Sequence, residues 1–166
     1  AGLVTIEATS VDPTGNSFSR GLSIADDARL PGLTDLARRV KRHGARISIQ
    51  LQHGGRFGNP PTSGCPRLLV SMIPGLAPTE NARVMDADDI EGMVEAYVQA
   101  ARRAVDEDFP ILYRHTSMED VRNGIDFGTN VELAGLTDAG VNAFDITAGM
   151  QCCFELMTPP TCMPKA

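Results

Sequence analysis

Two side chains in this chain stand where a strand could hold a polar ligand. In "ISIQLQHGGR" (47–56), Ile47, Ile49 and Leu51 alternate with Ser48, Gln50 and Gln52. A strand sends alternate residues to opposite faces, so the glutamines share a face that the aliphatic residues do not. Gln50 brings an amide, donor and acceptor together, before the strand has ended. Arg114 follows Ile111, Leu112 and Tyr113. A guanidinium in such apolar company needs an anion or several acceptors. Strand ends turn polar wherever they meet water, which accounts for Ser10 or Thr116. It accounts less well for Gln50 and Arg114, and ligand contact is the reading favoured for both.

These residues need elements to position them. "GLVTIEAT" (2–9) reads as a buried strand, "PGLTDLARRVKRH" (31–43) as a helix stopped by Gly44, and 45–52 as the next strand. Residues 54–84 are rich in Gly and Pro and read as a loop of some 30 residues, a length that marks a site or lid. Residues 86–107 form a helix with Asp86 as N-cap and Asp89 three later. Its apolar stripe is Ile90, Met93, Val94, Tyr97, Val98, Ala101 and Val105. A strand (109–116), a helix (129–141), a strand (142–149) and a proline-bearing tail (150–166) follow. Strands alternating with helices predict a parallel sheet. No G-x-G-x-x-G follows the first strand, so a Rossmann-type dinucleotide fold has no positive signal. In a (β/α)₈ barrel, the alternative, strand ends that gather polar groups make one rim with room for a flat ligand.

Composition narrows the classes. The 166 residues fit one domain, 1–166. A net charge of −6 and a pI near 5.0 argue against nucleic acid. No apolar run approaches the ~20 residues of a membrane span. Cys65, Cys152, Cys153 and Cys162 contain no C-x-x-C, so neither a zinc ribbon nor an iron–sulfur spacing is present. Free thiols and an acidic chain fit a cytoplasmic protein. The start at Ala1-Gly2 without Met suggests processing or a fragment.

"GLVTIEATSVDPTGN", "ISIQLQHGGR", the helix end "QAARRAV" and "FPILYRHTSMED" resemble the Old Yellow Enzyme family of FMN-dependent ene-reductases. Within it they look closest to the bacterial 2,4-dienoyl-CoA and enoate reductases. The resemblance implies a partial (β/α)₈ TIM barrel, about four of the eight βα units. It implies FMN as cofactor, NADH or NADPH as reductant, and an unsaturated carbonyl compound as substrate. Ala8 would stand where a small residue lets the backbone approach the flavin. Gln50, rather than Gln52, would hydrogen-bond the pyrimidine edge of the ring system. Arg114 would lie at the N1–C2 carbonyl side, where a cation stabilises the reduced form. His53 reads as a loop residue fixing the strand end, and Arg56 as either a ligand contact or the partner of an acid. His43 suits its helix C-terminus, and His115 has the parity opposite to Arg114.

The chain also departs from the family. The strand expected after "AARRA", with its His–His or His–Asn pair and nearby tyrosine, is not in the sequence. "AARRAVDEDFPILYR" passes directly to what resembles a later strand, and a skipped βα unit of about 30 residues is expected near 105–109. No catalytic residue is assigned. The alternative reading is a non-catalytic fragment or half-barrel, able to pair with a second copy across its open edges.

Overall fold

The computed structural model describes residues 2–72, 80–105, 110–116 and 140–147. The chain divides into two units, Ala1–Glu107 and Asp108–Ala166. In the first, β1 (Leu3–Ser10), β2 (Leu22–Ser23) and β3 (Arg46–Gln52) form a parallel sheet in the order β2-β1-β3. α1 (Leu30–Arg42) links β2 to β3, with Pro31 in its first turn. Gly44 ends it in the left-handed region at φ 73° and donates its N–H to the Lys41 carbonyl at 3.0 Å. Glycine adopts that conformation without a side-chain penalty.

Residues 54–84 are not the continuous loop that their glycine and proline content predicts. They hold a 3₁₀ turn (Gly55–Phe57), α2 (Pro60–Ser63), and the parallel pair β4 (Arg67–Leu69) and β5 (Ala82–Val84). Leu68 and Leu69 anchor the stretch, 6% and 1% exposed. Apolar runs this short carry no readable period.

α3 (Ala87–Ala104) opens on the expected cap. The Asp86 carboxylate accepts the Asp89 N–H at 2.9 Å, and the Asp89 carboxylate accepts the Asp86 N–H at 3.0 Å. Asp89 also forms an ion pair with Arg83. The core joins Val11, Ile24 and Ala100 to Leu30, Leu33, Ile49, Leu51, Ala96, Tyr97 and Ala104. The expected stripe on α3 is therefore corrected. Tyr97 faces inward, but Ile90, Val94 and Val98 are 53%, 60% and 38% exposed. The alanine row Ala96–Ala100–Ala104 packs inward instead, because small side chains let the helix approach the sheet closely.

The second unit contains β6 (Leu112–Thr116) and β7 (Ala143–Thr147), again parallel. Tyr113 meets Phe144 edge-to-face at 6.2 Å, and the Asn142 side chain accepts the Ile111 N–H at 2.7 Å. The helix expected at 129–141 and the tail 150–166, with Cys152, Cys153 and Cys162, lie outside the described residues, apart from 140 and 141. So do residues 106–109. Among the described residues no helix is long and apolar enough to cross a membrane.

Candidate functional site at the strand ends

The pairing of β1 with β3 is regular from Leu3↔Arg46 to Ile6↔Ile49, then resumes at Thr9↔Leu51 and Ser10↔Gln52. Glu7 and Ala8 therefore oppose the single residue Gln50, which is a β-bulge. The Thr9 hydroxyl closes it by donating to the Glu7 carbonyl at 2.8 Å. The bulge brings Ala8 and Gln50, two of the residues singled out in the sequence, to one level of the sheet. It also seats Thr9, fully buried, on the side of Leu51.

The two glutamines are not equivalent. The Gln52 amide nitrogen donates to the Gly15 carbonyl at 3.4 Å and lies 3.3 Å from the Ser17 hydroxyl. Gln52 is thus committed to the loop after β1. No hydrogen bond to the half-buried Gln50 amide occurs among the described residues. Parity alone did not separate these two; the loop does.

Beyond the bulge, the loops that follow β1 and β3 fasten to each other. His53 is at the centre, with its side chain 4% exposed. The Gly55 N–H donates to its Nδ1 at 3.0 Å, which assigns the ring proton to Nε2. That N–H donates to Thr14 Oγ1 at 2.8 Å, and the Thr14 hydroxyl donates to Asp12 Oδ1 at 2.7 Å. Asp12 also accepts the Gly15 N–H at 2.9 Å. Burial pushes the Asp12 carboxyl up, but hydrogen bonds from His53, Thr14 and the Gly15 N–H outweigh it and hold the group at about 2. Backbone bonds run in parallel, Gly54 N–H to Gly15 carbonyl at 2.8 Å and Asn59 N–H to Asn16 carbonyl at 2.7 Å. Close approach requires glycine here: a Cβ on Gly15 would fall 2.6 Å from the His53 ring. His53 thus fixes the strand end, as its place in the sequence suggested. Its partner is not visible in the sequence. "DPTG" signals a turn, yet its ring partner is 39 residues away.

Arg56, left open between a ligand and an acid, donates to the Ser71 carbonyl at 2.9 Å. Arg114 belongs to the second unit, where it stands opposite Asp145 with Nε 3.7 Å from the carboxylate. The burial that its apolar neighbours suggested is not found, and the facing carboxylate is on the adjacent strand. Both side chains are more than half exposed, so the pair is a weak one. Among the described residues no cluster of His, Cys, Asp and Glu could hold a metal ion.

Comparison with known proteins identifies the family and the fold. The profile of the NADH:flavin oxidoreductase / NADH oxidase family matches residues 1–118. The NADPH dehydrogenase of Geobacillus sp. (strain WCH70) is 39% identical over 114 residues, 69% of this chain and 33% of that protein. The NADH:acrylate oxidoreductase of Vibrio harveyi is 33% identical over 108 residues, 63% of this chain and 11% of that protein. Among solved structures, the Old Yellow Enzyme homologue from Zymomonas mobilis superposes with a TM-score of 0.58 at 26% identity. It covers 69% of this chain and 35% of its own. The chain thus spans about a third of the NADPH dehydrogenase it matches. Its parallel strands and intervening helices are part of a (β/α)₈ barrel of the Old Yellow Enzyme type. The chain belongs to the NADH:flavin oxidoreductase / NADH oxidase family.

Proposed function

We propose that this chain forms the FMN-binding part of an NAD(P)H-dependent ene-reductase acting on an activated alkene such as an enoate or enoyl-CoA. The observation that carries the reading is the bulge. It sets the small Ala8 opposite Gln50, whose amide no described residue satisfies. A flat heteroaromatic edge with adjacent donors and acceptors fits that amide, and Ala8 leaves room for its approach. Ala8 and Gln50 are the residues of the first unit that would hold FMN; Arg114, in the second unit, is assigned to it by the resemblance alone. When bound, FMN supplies hydride exchange between a nicotinamide and an alkene. Gln50 would orient the ring edge, and Arg114 would supply positive charge where the reduced cofactor is richest in electrons. The similarity to an NADH:acrylate oxidoreductase supports the alkene class.

Titration of the purified protein with FMN, followed by quenching of flavin fluorescence, tests the reading. Saturable binding in the parent is expected. Gln50→Leu should weaken it about tenfold, the worth of one well-placed hydrogen bond, while Gln52→Leu should act mainly on stability. A protein that takes up no FMN would leave the second reading, a non-catalytic half-barrel.

A further inference from the structure

The pairing pattern contains a choice that the strands alone do not make. Continued without interruption from Ile6↔Ile49, the register would place Glu7 on Gln50, Ala8 on Leu51 and Thr9 on Gln52. The observed register is one residue further on. Slips of one residue exchange the two faces of a strand. In the uninterrupted register Ala8 would share the face of Leu51, on the core side, and the Ala8–Gln50 level would not exist.

We propose that His53 is a positioning residue, and that the clasp Asp12–Thr14–His53 selects the bulged register and so builds the Ala8–Gln50 site. This deepens the FMN reading and rests on it for its functional consequence. The clasp joins the loops after β1 and β3 one layer beyond the bulge, with Asp12 four residues after Ala8 and His53 three after Gln50. A slip of one residue would carry the β1 loop ~3.3 Å along β3. The 2.8 Å contact of His53 with Thr14 and the 2.8 Å bond from Gly54 to Gly15 cannot survive such a displacement. The bond from the Val11 N–H to the Gln52 carbonyl, 3.2 Å, would break with them. His53 suits the task because its two ring nitrogens are used on opposite sides. Nδ1 accepts from its own loop and Nε2 donates to the other. Burial of the ring raises the cost of leaving either nitrogen unpaired.

The test uses the full chain with ¹⁵N labelling. In the parent, the His53 ring should show a protonated Nε2 and a bare Nδ1, and the Val11, Gly54 and Gly55 amides should be protected from exchange. Thr14→Val keeps the shape and removes the hydroxyl. It should speed exchange at Val11 and Gly54 about tenfold and raise the FMN dissociation constant about tenfold. Thr14→Ser should restore both. Parental exchange at Val11 and Gly54 in Thr14→Val would overturn the proposal. So would a parent His53 ring with the opposite proton placement, an observation that needs no variant to fold. If the parent takes up no FMN but the exchange pattern changes as expected, the FMN reading fails and the register role stands.

Discussion

Neutralising Asp12 should cost stability by an amount that vanishes in acid. Folding lowers the Asp12 carboxyl from its ordinary 3.8 to about 2. At about 1.4 kcal/mol per pH unit, this corresponds to about 2 kcal/mol. Its side chain is 23% exposed, so solvent screening removes only part of that. The sign follows from which state binds the proton first. As pH falls, the unfolded chain protonates Asp12 near 3.8, while the folded chain resists until about 2. The stabilisation is therefore complete above about pH 4 to 5 and is lost as pH passes down through about 2. Asp12→Asn keeps an acceptor for Thr14 and Gly15 but removes the charge. Urea unfolding of the parent and of Asp12→Asn, repeated from pH 7 to pH 2, gives the difference directly. A gap of about 1–2 kcal/mol at pH 7 that shrinks to a few tenths of a kcal/mol by pH 2 is expected. Asp89, also lowered to about 2 by its hydrogen bonds with Arg83 and the Asp86 backbone, titrates in the same window but is common to both proteins and cancels. A gap that is absent at pH 7, or constant with pH, would refute the clasp as the cause of the lowered carboxyl.

Other substitutions test the surrounding framework. Asp86→Ala removes half of the reciprocal cap of α3 and should cost about 1 kcal/mol in thermal or urea unfolding. Gly54→Ala would press a methyl onto the Ser17 hydroxyl and within 2.9 Å of the Gly15 carbonyl oxygen, and should cost about 1–3 kcal/mol. Arg114→Ala should weaken FMN binding or lower the potential of the bound flavin, read by redox titration; unchanged affinity and potential would count against its assignment.

The long elements were legible because their signals are local. The 46–52 strand shows its alternation openly, and α1 and α3 carry their stops and caps within a few residues of their ends. What escaped needed contacts between distant residues. Parity assumes uninterrupted pairing, so it could not reveal that two residues of β1 share one partner on β3. β2, β4 and β5 are two or three residues long and show no period. On α3 two apolar rows overlap. Hydropathy favours Ile90, Val94 and Val98, whereas packing chose the alanines because they allow the closer approach. The candidate site shows the same division. Gln50 and Ala8 were visible one by one, but their shared level was not. Asp145 became the partner of Arg114 only once β6 and β7 were known to be adjacent and in register.

The bulge in β1 also inverts the phase of that strand. Before it, the even positions Val4 and Ile6 align with Ile47 and Ile49, and Ile49 packs against the core. After it, Thr9 stands opposite Leu51 on that side, and Thr9, Ser10 and Val11 are all almost completely buried. A substitution map of residues 3–11 would therefore show tolerance alternating up to Glu7 and three consecutive sensitive positions, Thr9, Ser10 and Val11, past the bulge. A threonine rather than an aliphatic residue occupies the first core position after the inversion. Its hydroxyl donates to the Glu7 carbonyl across the bulge, so Thr9 both fills the core and ties the backbone at the point where the phase turns.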